Sequence, residues 1–252
     1  MFRSSAQEHG IGVEKNFRWR AGEITRLEGF SDAVFAFALT LLVVSLEVPH
    51  TFDELIDTMR GFPAFAICFA ILVQVWFYHY RYFRRYGLQD GLTVVLNAAL
   101  LFVVLFYVYP LKFLFTTLVG SITGGATVGG RTPLDAMLGP QDMPMLMTIY
   151  GLGFAAVFGI LAVLYLNAYR KRAELELDAH EVLLTEHSLF ENIGVACVGL
   201  LSATVAHMLP LGMSGLAGFL YFLIPAYATG CGVYFGRRTK ELERSQRRSA
   251  SL

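Results

Sequence analysis

The sequence predicts an all-α membrane protein, one chain crossing the bilayer six times with both termini in the cytoplasm, and three observations predict it. The 252 residues are 55% hydrophobic and only 16% charged, where a soluble domain carries about 25% charged residues. The apolar residues gather in six runs, each near the roughly 20 residues that cross a ~30 Å hydrocarbon core. All but Arg60, Lys112 and Arg131 of the 20 basic residues fall on one side of that arrangement, which is the cytoplasmic side because Lys and Arg are retained there.

The runs cover 27–48, 62–81, 92–118, 145–168, 189–209 and 214–236. Lipid leaves no backbone polar group unpaired, so each reads as a helix. Residues 1–25 form a polar cytoplasmic segment carrying Arg3, Lys15, Arg18 and Arg20. The apolar run that follows is too long for a signal peptide and has no small-residue cleavage site, so the first helix is expected to be retained. An acidic outer loop from Pro49 to Arg60 holds Asp53, Glu54 and Asp57. The second span ends in Arg81, Arg84 and Arg85, and the third is long enough for Lys112 to Gly120 to bend into the interface. A glycine- and proline-rich outer loop covers 119–143. After the fourth span, charge alternates with Leu and Ala from Arg170 to His187, a pattern that continues this helix into the cytosol. Residues 26–236 thus make one six-helix domain, followed by a basic cytoplasmic tail at 237–252 with Arg237, Arg238, Lys240, Arg244, Arg247 and Arg248.

Several function classes drop out. Formal net charge is zero, and nothing in its distribution points to nucleic acid. Cys68, Cys197 and Cys231 sit singly in apolar runs and read as small buried hydrophobes, not as disulfide or zinc partners. His180, Glu181 and His187 lack the spacing that brings two imidazoles to one metal. No nucleophile elbow, Walker loop or dinucleotide loop appears, so neither an enzyme nor a cofactor is expected. Thr127–Gly130 reads TVGG but lacks the following aromatic and a preceding pore helix, so it is set aside as a carbonyl filter.

The first span carries the unusual chemistry. Asp32 lies about a turn and a half inside the membrane, where an ionised carboxylate costs a few kcal/mol unless it is paired or wet. It either marks a functional site or ties helices together, with Arg26, His79, Arg81 and His207 as candidate partners. At 100° per residue, Phe30, Phe37, Leu41, Val44 and Val48 lie within about 40° of one line, Thr40 about 60° to one side of Phe37, and Asp32 roughly 140° away. Such an apolar stripe faces lipid, packs against a neighbour or lines a pore. Periodicity alone does not choose among these.

Residues 26–49, RLEGFSDAVFAFALTLLVVSLEVP, resemble the RxxxFSD signature helix of the transmembrane protein 175 family of lysosomal and bacterial potassium channels. QVWFYHYRYFRRY at 74–86 resembles the family's Trp-x-x-His stretch, and LNAALLFVVLFYVYP at 96–110 continues the likeness more weakly. The resemblance implies a homotetramer in the bacterial cell membrane, with the first helix of each subunit lining one central pore. Potassium would pass transiently, without fixed ligands, through a constriction formed by Phe37, Leu41 and Val44, with Thr40 favouring potassium. It further implies a signature polar network of Arg26, Phe30, Ser31, Asp32, Trp76 and His79 that packs helices and supports gating.

This sequence departs from the family at Phe37, where an aliphatic residue is usual, and four phenyl rings narrow or seal an apolar pathway that gates by dewetting. Glu47 either draws cations to the outer mouth or is an ordinary interface carboxylate. Lys112 would oppose cations in a vestibule and otherwise snorkels to the interface. Two readings stand beside a passive channel: a proton-coupled transporter using Asp32 and His79, and a non-conducting scaffold plugged by Phe37. Proton-coupled saturable flux marks the first. The paired broken helices usual in transporters are not visible in the sequence.

Overall fold

The computed structural model describes residues 17–44, 50–122, 139 and 141–249, and all regular structure among them is helical. Helix α1 spans Arg26–Val44. It starts where Thr25 and Glu28 exchange bonds, the Thr25 amide donating to Glu28 Oε2 at 2.9 Å and the Glu28 amide to Thr25 Oγ1 at 3.1 Å, a capping box that satisfies otherwise orphaned amides. Glu47 and the rest of the expected span beyond Val44 lie outside the described residues, as do Arg131 and the TVGG stretch.

The acidic loop contains a helix of its own, α2 at Phe52–Arg60, capped by Thr51 and Glu54. Its apolar residues Phe52, Leu55, Ile56 and Met59 recur at helical spacing and are exposed, the pattern of a helix lying in the membrane interface. Helix α3 covers Phe62–Tyr86, with a proline in its first turn. Gly87 stops it: its amide donates to Phe83 O at 2.8 Å from a left-handed conformation with φ +60°, which costs glycine nothing. Helix α4 covers Gly91–Ile122 and contains Pro110; α5 covers Asp142–Arg170.

Two expectations are corrected after α5. The segment from Arg170 to His187 does not prolong that helix. Residues 171–176 form turns, and α6 starts anew at Ala179–Met208, because Asp178 and Glu181 form a third capping box and local side-chain bonding wins over continued helix. The sixth span is not one regular α-helix either. Leu211–Phe222 is a 3-10 segment that passes into α7 at Leu223–Ser249. Pro225 supplies no amide hydrogen in the first turn of α7, and glycines recur every three residues upstream, so α pairing gives way to the tighter helix there.

Among the described residues, six helical stretches are long and apolar enough to cross a membrane, and the chain is a multi-pass membrane protein. Helix α1 packs only on α3 and α4 among the described elements; α4 packs on α5, α5 on α6, and α6 on the 3-10 segment and α7. The helices therefore follow one another across the subunit, leaving α1 at one edge. The main core joins Phe35, Ala38 and Leu42 of α1 to Leu72 and Val75 of α3 and Leu100 and Val104 of α4. Tyr82 and Tyr86 of α3 meet Tyr165 of α5 edge to face, with centroids 5.4 and 5.9 Å away. Helices α5 and α6 cross at Gly151 and Gly199; a Cβ at Gly199 would sit 2.7 Å from Gly151 O, so only glycine lets the backbones meet. Of the cysteines, Cys68 is buried as expected, but Cys197 is exposed and Cys231 half-buried, since a small apolar group suits lipid as well as a core.

Candidate functional site on the first helix

Helix α1 has two unlike faces. Glu28, Ser31, Phe35, Ala38 and Leu42 are buried against the subunit. Arg26, Gly29, Phe30, Ala33, Ala36, Phe37, Thr40, Val43 and Val44 are exposed, spaced three and four apart as one helical face requires. Phe37 is 55% and Val44 71% exposed, whereas Leu41 is half-buried at the border between the faces. The Thr40 hydroxyl donates to Ala36 O at 2.9 Å. That spends its hydrogen on the backbone and leaves its oxygen lone pairs on the exposed side.

Behind this face runs a directed chain of hydrogen bonds. The Ser31 hydroxyl donates to Leu27 O at 2.8 Å, so its oxygen accepts from Asn97 Nδ2 at 2.9 Å. Asn97 Oδ1 in turn accepts from His79 Nε2 at 2.8 Å. Ser31, His79 and Asn97 are all essentially inaccessible, and the bonds link α1, α4 and α3 where unpaired polar groups would be costly. Phe35 packs 5.6 Å from the His79 ring.

Asp32 is exposed at the flank of α1, and Trp76 Nε1 donates to its Oδ1 at 2.8 Å. A small cavity of about 30 Å³ lies beside it, lined by Ile24, Glu28, Asp32, His79, Tyr80 and Arg84, room for about one water.

The structure thus brings together Ser31 with His79, and Asp32 with Trp76. Phe30 and Arg26 lie on the exposed face outside this cluster. Of the partners expected for Asp32, His207 instead hydrogen-bonds Thr148 at 2.8 Å. Sequence reasoning missed Asn97, the link between the two halves. The available signal was an amide inside an otherwise apolar run, which needs a partner in lipid. It also missed Glu28, whose place in a capping box is legible from Thr25 three residues earlier.

Residues 26–107 match the family model of the endosomal/lysosomal potassium channel TMEM175. Over 240 residues the chain is 41% identical to a potassium channel of Marivirga tractuosa, spanning 93% of this chain and 95% of that one. Over 96 residues it is 35% identical to a potassium channel of Chamaesiphon minutus, 35% of this chain and 47% of the other. Among solved structures it is similar to the crystal structure of a threonine-to-alanine variant of the potassium channel MtTMEM175, with a TM-score of 0.76 at 39% identity over 92% of this chain and 100% of that chain. A lysosomal potassium-selective channel TMEM175 homologue from Chamaesiphon minutus shares the fold at a TM-score of 0.51 and 23% identity, over 84% and 96% of the two chains.

Proposed function

The chain belongs to the TMEM175 potassium channel family, and from that premise we propose that it is a passive potassium channel in the cell membrane, with both termini cytoplasmic. Four copies place α1 around a central axis, and Phe37, Leu41 and Val44 form the constriction. The observation that carries this reading is the two-faced first helix. One side is fixed to α3 and α4, while the side bearing Phe37, Thr40 and Val44 is exposed along its described length. A helix at the edge of its subunit with such a face is suited to meet copies of itself.

An apolar narrowing discriminates among ions by what it costs to strip their water, and potassium holds its hydration shell less tightly than sodium. The free lone pairs of Thr40 offer partial replacement for lost water next to the phenyl ring. The Ser31–Asn97–His79 chain and the Asp32–Trp76 bond hold the helix from behind, so that the constriction keeps its shape as ions pass.

A second reading, proton-coupled transport through Asp32 and His79, draws on the cavity those two residues share with Glu28 and Arg84. Flux from liposomes containing purified protein separates the readings. A channel gives non-saturating potassium flux exceeding sodium flux at constant pH, and Asp32→Asn leaves it proton-independent. Flux that saturates and requires a proton gradient selects the transporter. A monomer in detergent removes the central pore.

A further inference from the structure

The stretch before α1 is tied down from Phe17 to Ala21, to α3 on one side and to the start of α6 on the other. Phe17 is buried, edge-on to Tyr86 at 5.6 Å, with the Arg85 guanidinium 4.8 Å above its ring. The Arg18 amide donates to Glu181 Oε1 at 2.8 Å. Arg20 spends every donor it has. Nε donates to Leu175 O at 2.7 Å, Nη1 to Arg18 O at 3.0 Å and Glu181 Oε1 at 3.1 Å, and Nη2 to Glu176 O at 3.2 Å and to Glu181 Oε2. Five N–H groups thus meet five acceptors, a fit that the planar guanidinium allows and an ammonium does not.

The receiving side is shaped for it. Glu176 is the only non-glycine described with positive φ, at +49°, a conformation that persists only where its surroundings hold it; its carbonyl is one of the Arg20 acceptors. The Glu181 side chain is 2% exposed and also accepts the Asp178 amide at 3.1 Å, so its carboxylate is saturated. On the other side of the strap, the Ala21 amide donates to Arg84 O and Arg84 Nη1 to Ala21 O, both at 3.4 Å. Four residues on from Ala21, Thr25 caps α1.

We infer that Arg20 and Glu181 are a positioning pair for permeation: through the strap 17–25 they fix the inner end of α1 to the first turn of α6. The inference rests on the reading of α1 as the pore helix. Neither residue touches the ion. They set how often four α1 helices stand in register at once, and because an open pathway needs all four subunits, a modest loosening in each compounds.

Single-channel recording of the full chain in lipid bilayers tests this with Glu181→Gln and Arg20→Lys. Both variants keep the side-chain size close to the original, and the second keeps the charge. The expected result is an open probability lowered at least about fivefold, as the competent arrangement becomes fractionally populated, with unitary conductance and potassium-to-sodium permeability ratio unchanged because Phe37 and Thr40 are intact. A clamp that serves only folding would lower yield and thermal stability but leave the surviving channels opening as before, and that result overturns the inference. Should Glu181→Gln not assemble, Glu181→Asp, which keeps the charge but withdraws the carboxylate by one methylene, carries the same comparison. Wild-type protein that passes no potassium removes the pore reading itself, and the inference with it. Wild-type conduction with unaltered gating in the variants removes the inference alone.

Discussion

The indole of Trp76 donates from Nε1 to Oδ1 of Asp32 at 2.8 Å, fixing a carboxylate at the flank of the first helix to a neighbouring helix of the same subunit. The bond pins α1 against rotation, because Asp32 cannot turn toward the Phe37 stripe without losing its donor. A hydrogen bond to a charged group contributes roughly 1.5–3 kcal/mol. Trp76→Phe and Asp32→Asn are each expected to lower the thermal midpoint of the detergent-solubilised protein, and the double variant should cost less than the two single losses added together. Strict additivity in that double-mutant cycle would mean that the two side chains do not act on each other.

Phe37→Ala is expected to raise flux and weaken the preference for potassium. Removing a phenyl ring from the proposed narrowing would widen it and admit water, and about 1 kcal/mol off an apolar barrier is roughly fivefold in rate. Potassium and sodium efflux from proteoliposomes measure both effects. Leu41→Ala, at the border of the face, should act in the same direction but less strongly. Unchanged flux and unchanged ion preference in both variants would place the constriction elsewhere.

Asn97→Leu should be more damaging than its near-equal volume suggests. It removes the acceptor for His79 Nε2 and the donor to Ser31 Oγ at once, leaving buried polar atoms whose orphaning costs about 1–3 kcal/mol. Asn97→Leu combined with Ser31→Ala removes one of the orphans and should recover part of the lost thermal stability.

Gly199→Val tests the α5–α6 crossing. The added Cβ would meet Gly151 O at 2.7 Å, backbone that cannot swing aside, so the helices must separate. Overpacking of this kind costs about 1–3 kcal/mol. The expected readout is a thermal midpoint several degrees lower, while Gly159→Ala, where an added Cβ meets nothing, serves as the neutral control.

Acid should loosen the join between α4 and α5. Burial works against ionisation of Asp90, but the Thr93 hydroxyl, the Lys171 ammonium 3.6 Å away and the Asn167 amide outweigh it and hold the carboxyl below its usual value of 3.8. A carboxyl lowered by folding contributes stability that is fully present above its unfolded value and is lost as pH falls through the folded one. The gap in thermal midpoint between wild type and Asp90→Asn should therefore stay constant between pH 5 and 7 and shrink progressively as pH falls below about 4. A gap that did not shrink at all as pH falls below about 4 would assign the effect to packing and not to charge.

By itself, the sequence determined the solvent and the crossing pattern. Hydrophobic runs of membrane-spanning length follow from local composition, and lipid's refusal of unpaired backbone turns those runs into helices. The signature around Asp32 and the stripe through Phe37 were legible for the same reason, since one helix's periodicity is a property of one segment. Tertiary structure alone decided which groups meet. That Asp32 pairs with Trp76 and not with His207, that Asn97 joins Ser31 to His79, and that Arg20 reaches across to Glu181 are contacts between residues 18 to 161 positions apart, fixed by how helices pack. The break between α5 and α6 and the 3-10 segment before α7 lie between these extremes. Their causes, a capping box at Asp178 and a proline at 225, are local, but each outweighs a helical pattern only when the folded chain uses the turn it creates, and at Glu176 that use is the seat of Arg20.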